Sequence, residues 1–138
     1  YVPQAYAESL FPWFSVLRNV AMPLLVAGRK DAYDAAHALA RRILPGIDPR
    51  RRAGHLSGGE KQATALARAL ASPGALVVAD EPFSAISASN RDRLRRALRD
   101  ELGDRALLLV SHDAEDVAEL CERTVHLSAG RIFDGVPV

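Results

Sequence analysis

Two short runs of unbroken apolar residues constrain this chain most. Ala75-Leu76-Val77-Val78-Ala79 leads straight into Asp80-Glu81, and Ala106-Leu107-Leu108-Leu109-Val110 leads into Ser111-His112. Runs of that length without polar alternation predict strands buried on both faces, as in a parallel sheet. Between them, Asn90 to Leu102 carries Leu94, Leu98 and Leu102 at helical spacing. A helix is also predicted from Gly59 to Ala71, where Ser72-Pro73-Gly74 breaks it, and another from Asp113 to Cys121. Thr124 to Leu127, then Ala129-Gly130, then Arg131 to Phe133 predicts a β-hairpin. The alternation implies an α/β fold with a parallel sheet and an antiparallel edge.

The first part of the chain has a different rhythm. Residues up to about Arg52 read as a loop followed by helices. Phe11-Pro12-Trp13-Phe14 is an aromatic cluster that suits either a core or a docking knob for a partner helix. Ser15 precedes Val16, Leu17, Val20 and Ala21 at helical spacing, with Pro23 as the expected stop. Asp31 is the expected cap of a helix through Leu44, which Pro45-Gly46 ends. Asp48-Pro49 and Arg50-Arg51-Arg52 form a connector.

Composition narrows the function. A formal net charge of +1 gives no strong pull toward nucleic acid or an anionic membrane. The arginines at 91, 93, 95, 96 and 99, interleaved with Asp92, Asp100 and Glu101, read as solvated helix faces. The single cysteine, Cys121, excludes an intrachain disulfide and reads as a small apolar residue. No apolar run approaches the roughly 18 residues needed to cross a bilayer. The chain starts Tyr1-Val2-Pro3-Gln4, without an initiator methionine, and reads as the C-terminal portion of something longer.

Three places carry potential chemistry. Asp80-Glu81 sits at the C-terminal end of a predicted strand, where ligands bind in open α/β sheets. Adjacent carboxylates there can hold a metal's water shell and orient an attacking water. Taken alone the pair also suits a solvated strand end. Ser57-Gly58-Gly59 opens a helix, so a hydroxyl and unobstructed N–H groups stand at a positive helix end, a site for phosphate oxygens. The same residues also suit a plain N-cap. His112 ends the second strand and can point at the same crevice as Glu81. No Gly-x-x-x-x-Gly-Lys-Ser/Thr loop occurs, and no Gly-Lys dipeptide.

In this order the elements resemble the nucleotide-binding domain of ATP-binding cassette (ABC) proteins. Leu56-Ser57-Gly58-Gly59-Glu60-Lys61-Gln62 resembles the family's signature sequence, and Leu76 to Glu81 its Walker B strand. Glu81-Pro82-Phe83-Ser84-Ala85 continues as a D-loop, His112 matches the switch histidine, and Gln4 matches the Q-loop glutamine. The resemblance implies a partial P-loop NTPase (RecA-like) sheet. Residues about 5–55 would form an α-helical subdomain, and about 56–138 the signature helix and C-terminal part of the α/β core. It implies ATP and Mg2+ as cofactors. Asp80 and Gln4 would act on the metal through water, and Glu81, His112 and Gln4 would serve hydrolysis. Ser57, Gly58, Gly59 and Glu60 would bind the γ-phosphate of a nucleotide held by a second ATPase subunit, with Ser87 at the D-loop end.

The implied protein is the ATP-hydrolysing subunit of a membrane transporter, peripheral on the inner face of the cell membrane. Its expected partners are a transmembrane permease and a second ATPase subunit, with no nucleic acid and no membrane insertion of its own. Leu10 to Val20 resembles importers of nitrate, sulfonate or taurine. Two departures stand out: Ser87 where the D-loop ends in Asp, and Ala63 where a basic residue is usual. The Walker A loop is absent, so this chain alone is expected to be inactive, and the sheet to lack its first strand. The alternatives are a chromosome-maintenance or DNA-repair ATPase of the same superfamily, and a non-catalytic half that completes a partner's ATP site. The first is disfavoured by the roughly 50 residues between Gln4 and Ser57, which hold no sustained heptads.

Overall fold

In the computed structural model, which describes residues 1–134, the chain folds as helices followed by an α/β unit. The helices are α1 (Tyr6–Ser9), α2 (Val16–Val26), α3 (Ala32–Ile43) and α4 (Gly58–Ala71). Then come β1 (Leu76–Asp80), α5 (Ala88–Leu102), β2 (Ala106–Val110), α6 (Ala114–Leu120), β3 (Val125–Ser128) and β4 (Arg131–Asp134). β1 and β2 pair in parallel from Leu76↔Ala106 to Asp80↔Val110. On its other edge β1 takes Val2: the Val2 N–H donates to the Val78 carbonyl (2.8 Å), and Asp80 N–H donates to the Val2 carbonyl (2.9 Å). β3 and β4 form the expected antiparallel hairpin, with Ala129 and Gly130 both at positive φ in a two-residue turn.

α4 is the hub. Its residues from Gln62 to Ala67 are all buried, because α1, α2 and α3 pack around it. Alanine at three of these six positions (63, 65 and 67) lets the neighbouring helices approach closely and favours the helix itself. Arg105 fastens its far end. The guanidinium donates to the Leu70 (2.9 Å) and Ser72 (3.2 Å) carbonyls in the last turn and C-cap of α4, and to the Leu102 (3.1 Å) and Glu101 carbonyls at the end of α5. One cation thus caps two helix C-termini.

Several expectations are corrected. β1 buries Val77 and Ala79 while Leu76 is exposed, and β2 exposes Ala106, Leu108 and Val110. The strands are not buried on both faces, since among the described residues nothing covers that side of the pair. α2 does not stop at Pro23 but runs to Val26. Burial of Val20, Ala21 and Leu24 outweighs the one N–H that proline lacks. Asp31 occupies the N-cap position of α3 without capping it, because its carboxylate is taken by Arg29. The arginines of α5 are not simply solvated. Arg95 is 2% exposed among Asp92, Glu115, Asp116 and Glu119. Arg93 donates to the Ile43 carbonyl at the end of α3 (3.1 Å), and Arg91 pairs with Asp113. The leucine stripe of α5 is narrow, so the flanking guanidinium groups reach neighbouring elements.

Candidate functional site

The tips of β1 and β2 bring Glu81 and His112 together. Glu81 is the first residue past β1, and its N–H donates to the Val110 carbonyl (2.9 Å), extending the parallel ladder by one bond. There the backbone turns sharply, with Glu81 at φ +48°, a conformation that costs a non-glycine residue about 1–3 kcal/mol. The turn aims the carboxylate across the strand pair. Its Oε1 accepts from the His112 backbone N–H (3.0 Å) and lies 2.7 Å from the imidazole Nδ1. The hydrogen bond with Glu81, then its negative charge, hold the His112 imidazole above its ordinary value. The imidazole side chain itself is 84% exposed and so faces outward from this contact.

His112 is held from behind. Asp113 caps α6, accepting from the Glu115 (2.9 Å) and Asp116 (3.4 Å) N–H groups. Burial works against its charge, but those N–H groups and Arg91 outweigh it and keep the carboxyl below its usual range. Arg91 also donates to the Phe83 carbonyl (3.4 Å), tying the segment after Glu81 to the segment after His112. Asp80 stands half-buried at the same strand end, in register with Val110. Gln4 is exposed two residues beyond the Val2–Ala79 bridge, where the first segment passes the end of β1.

The serine-glycine corner lies at the start of α4. Ser57 and Glu60 form a capping box: Ser57 N–H donates to Glu60 Oε2 (2.7 Å), and Glu60 N–H donates to Ser57 Oγ (3.4 Å). Arg51 pairs with the Glu60 carboxylate (3.0 Å). The Ser57 N–H, the Arg51 charge and the Ser57 hydroxyl together outweigh burial and lower the Glu60 pKa. By helix geometry the Gly58 and Gly59 N–H groups have no acceptor within α4, and Ser57 and Gly58 are exposed. Gly59 packs against the turn after β1, where a Cβ would meet the Ala85 carbonyl at 3.0 Å. Ser87 heads α5 from the N-cap position, its hydroxyl within 3.1 Å of the Asn90 amide rather than capping the backbone. A cleft of about 350 Å³ runs along this side, lined in part by Ser57, Gly59, Glu60, Ala63, Ser87 and Asn90.

The structure therefore joins Glu81 with His112, follows Asp80 directly with Glu81 at the end of β1, and places Ser57, Gly58, Gly59 and Glu60 at a separate corner where Ser57 and Gly58 are exposed and Gly59 and Glu60 half-buried. Among the described residues no three His, Cys, Asp or Glu side chains cluster as a metal cage. The donor set instead fits magnesium carried by phosphates, which keeps most of its waters and takes one or two carboxylates. Sequence reasoning gave no role to Gln62, which is fully buried and bonded to the Glu81 turn. Its signal was a long polar side chain within an otherwise alanine- and leucine-filled stretch.

This fold is the α/β layer of the P-loop nucleotide triphosphatases, and similar solved structures are ABC cassettes. A dimeric post-hydrolysis structure of the ATP-binding cassette MJ0796, bound to ADP and Pi, superposes with a TM-score of 0.83 at 26% identity, over 96% of this chain and 61% of that one. The profile of the ABC transporter family matches residues 1–84, so the chain belongs to that family. Similar proteins include the lipoprotein-releasing system ATP-binding protein LolD of Bacteroides thetaiotaomicron, 39% identical over 91% of this chain and 59% of that one. Another is the aliphatic sulfonates import ATP-binding protein SsuB 2 of Streptomyces avermitilis, 42% identical over 89% of this chain and 49% of that one. The chain spans about half the length of the curated relatives it matches.

Proposed function

We propose that these residues serve an ATPase that drives solute transport across a membrane, each ATP being hydrolysed between two subunits. Glu81 orients and deprotonates the attacking water, and His112 contacts the γ-phosphate. Asp80 and Gln4 hold magnesium through its waters. Magnesium, when bound with the nucleotide, supplies charge neutralisation at the transferring phosphoryl group. Ser57, Gly58 and Gly59 offer a hydroxyl and free N–H groups at a helix N-terminus to the γ-phosphate of a nucleotide held by the partner. Glu60 stiffens that corner through the capping box, and Ser87 flanks it.

The observation that carries the reading is the 2.7 Å Glu81–His112 contact at adjacent strand tips, with a free helix start on another edge. None of the chain's 138 residues forms a Gly-Lys-Ser/Thr loop, so this chain alone is proposed to be inactive. The test is phosphate release by the full-length protein. Glu81→Gln and His112→Ala should each lower turnover roughly 10²–10⁴-fold, and an unchanged rate in both variants would refute the roles.

The proposed partner is a transmembrane permease that holds the protein on the inner face of the membrane. No described helix is long and apolar enough to cross a bilayer. The contact proposed for the permease is the aromatic loop, where Trp13 stands 65% exposed against Phe11 and Phe14. The import-type subclass is supported by the likeness to SsuB 2, and LolD-type relatives match over a comparable span. Copurification with a permease, lost in Trp13→Ala, is the expected result; retention of the permease by that variant would remove the loop from the interface.

A further inference from the structure

The geometry points to Gln62 as a positioning residue that locks the Glu81 turn onto the first turns of α4. The inference rests on the proposed role of Glu81 and goes one step further: it names what holds that carboxylate in place. Gln62 is fully buried, and both ends of its amide are used. Nε2 donates to the Glu81 carbonyl (2.9 Å) and to Ser84 Oγ (3.0 Å). Oε1 accepts from the Ala85 N–H (2.7 Å). One side chain thus spans both sides of the turn, as a backbone ladder would.

Glu81 needs such a clamp. Its positive φ is unfavourable for a residue with a Cβ and persists only where the surroundings enforce it. Its N–H is fixed by Val110, and its carbonyl accepts from the Ser84 N–H within the turn (3.2 Å) and from Gln62, which anchors it to α4. Held at both ends, the peptide directs the carboxylate toward the His112 N–H and ring. Gly59, one turn earlier on α4, lies against the Ala85 carbonyl in the same turn. The corner proposed to meet one nucleotide and the carboxylate proposed to act on another are therefore tied by one buried amide and one close backbone contact. Movement of the α4 start is carried to Glu81 through Gln62, which touches neither nucleotide.

Amide hydrogen exchange tests this without turnover. The His112 N–H donates to Glu81 Oε1 and has no contact with Gln62. In Gln62→Met, which keeps length and apolar bulk, His112 N–H exchange should accelerate about tenfold or more toward the Glu81→Ala rate. The β2 amides should keep their rates. Gln62→Asn, an amide one methylene short, should give the same result and serves if the methionine variant does not fold. Ser84→Ala, which leaves the bond to the Glu81 carbonyl, should keep the native rate. The inference is overturned if His112 exchange is unchanged in both Gln62 variants. It is also overturned if that exchange rises only in step with β2, or if Ser84→Ala matches Gln62→Met. If Glu81→Ala itself leaves His112 exchange unaltered, the Glu81–His112 pairing fails first and this inference falls with it.

Discussion

Asn19 gives the sharpest stability prediction. Its side chain is fully buried at the start of α2 and organises the loop before it. Oδ1 accepts from the Phe11 N–H (2.9 Å), while Nδ2 donates to the Phe11 (3.1 Å) and Ser15 (3.0 Å) carbonyls. Ser15 keeps another donor, the Asn19 N–H, if the side chain is removed. Asn19→Ala therefore strands the N–H of Phe11, which is only half-buried, while the Phe11 carbonyl loses one of its two donors and keeps the Phe14 N–H (3.0 Å). At about 1 kcal/mol per lost bond, plus a partial desolvation cost, the loss comes to about 2–3 kcal/mol. For a chain of this size that lowers Tm by roughly 8–12 °C. Asn19→Asp retains the acceptor for Phe11 N–H but turns a carboxylate toward the carbonyl oxygens of Phe11, Phe14 and Ser15. Its pKa should rise on folding, so its stability should recover on acidification, unlike that of the alanine variant. Urea unfolding at several pH values measures both. A loss below about 0.5 kcal/mol for Asn19→Ala, or no acid recovery for Asn19→Asp, would show that the Asn19 amide does not hold this loop.

Other outcomes follow from the same contacts. His112 should titrate above its ordinary value of 6.5, chiefly because of the Glu81 hydrogen bond. The pair's stabilisation is complete below that ordinary value and fades as pH rises through the raised one. By NMR, Glu81→Gln should bring the midpoint down, and an unmoved midpoint would contradict the pairing. Arg105→Met removes the shared cap of α4 and α5 and should cost about 1–3 kcal/mol in denaturant unfolding; a neutral result would count against it. Phe83, 1% exposed beneath the Glu81 turn, should cost about 3–5 kcal/mol as Phe83→Ala. A loss under about 1 kcal/mol would show that the turn does not rest on that ring.

The elements that carry chemistry were legible because strong local signals agreed. The apolar runs located β1 and β2, with Ala106–Val110 matched residue for residue, and Ser57-Gly58-Gly59 located the start of α4. Less legible were long-range polar contacts, which have no periodicity. Arg91, Arg93 and Arg95 share one helix, yet each is fixed by a different neighbour. Gln62 reads as one polar residue in a helix until the fold brings the Glu81 carbonyl to it. Burial of the strands was overread because Leu76, Leu108 and Val110 are apolar but, among the described residues, uncovered. Pro23 was overread as a stop because tertiary burial of α2 overrides a local propensity.

The most direct measurement of the central claim is complementation between two defective full-length copies. One carries Glu81→Gln. The other carries Gly58→Asp, which puts a negative charge where phosphate is proposed to bind, at an exposed position whose Cβ would meet only Tyr6 Oη, at 3.2 Å. Mixed dimers, isolated by two different tags, hold one composite site with both defects and one with neither. ATP turnover is expected to reappear in the mixed dimer and to be absent from either variant alone. Mixed dimers as inactive as their parents would contradict that claim, placing Glu81 and the serine-glycine corner on the same nucleotide.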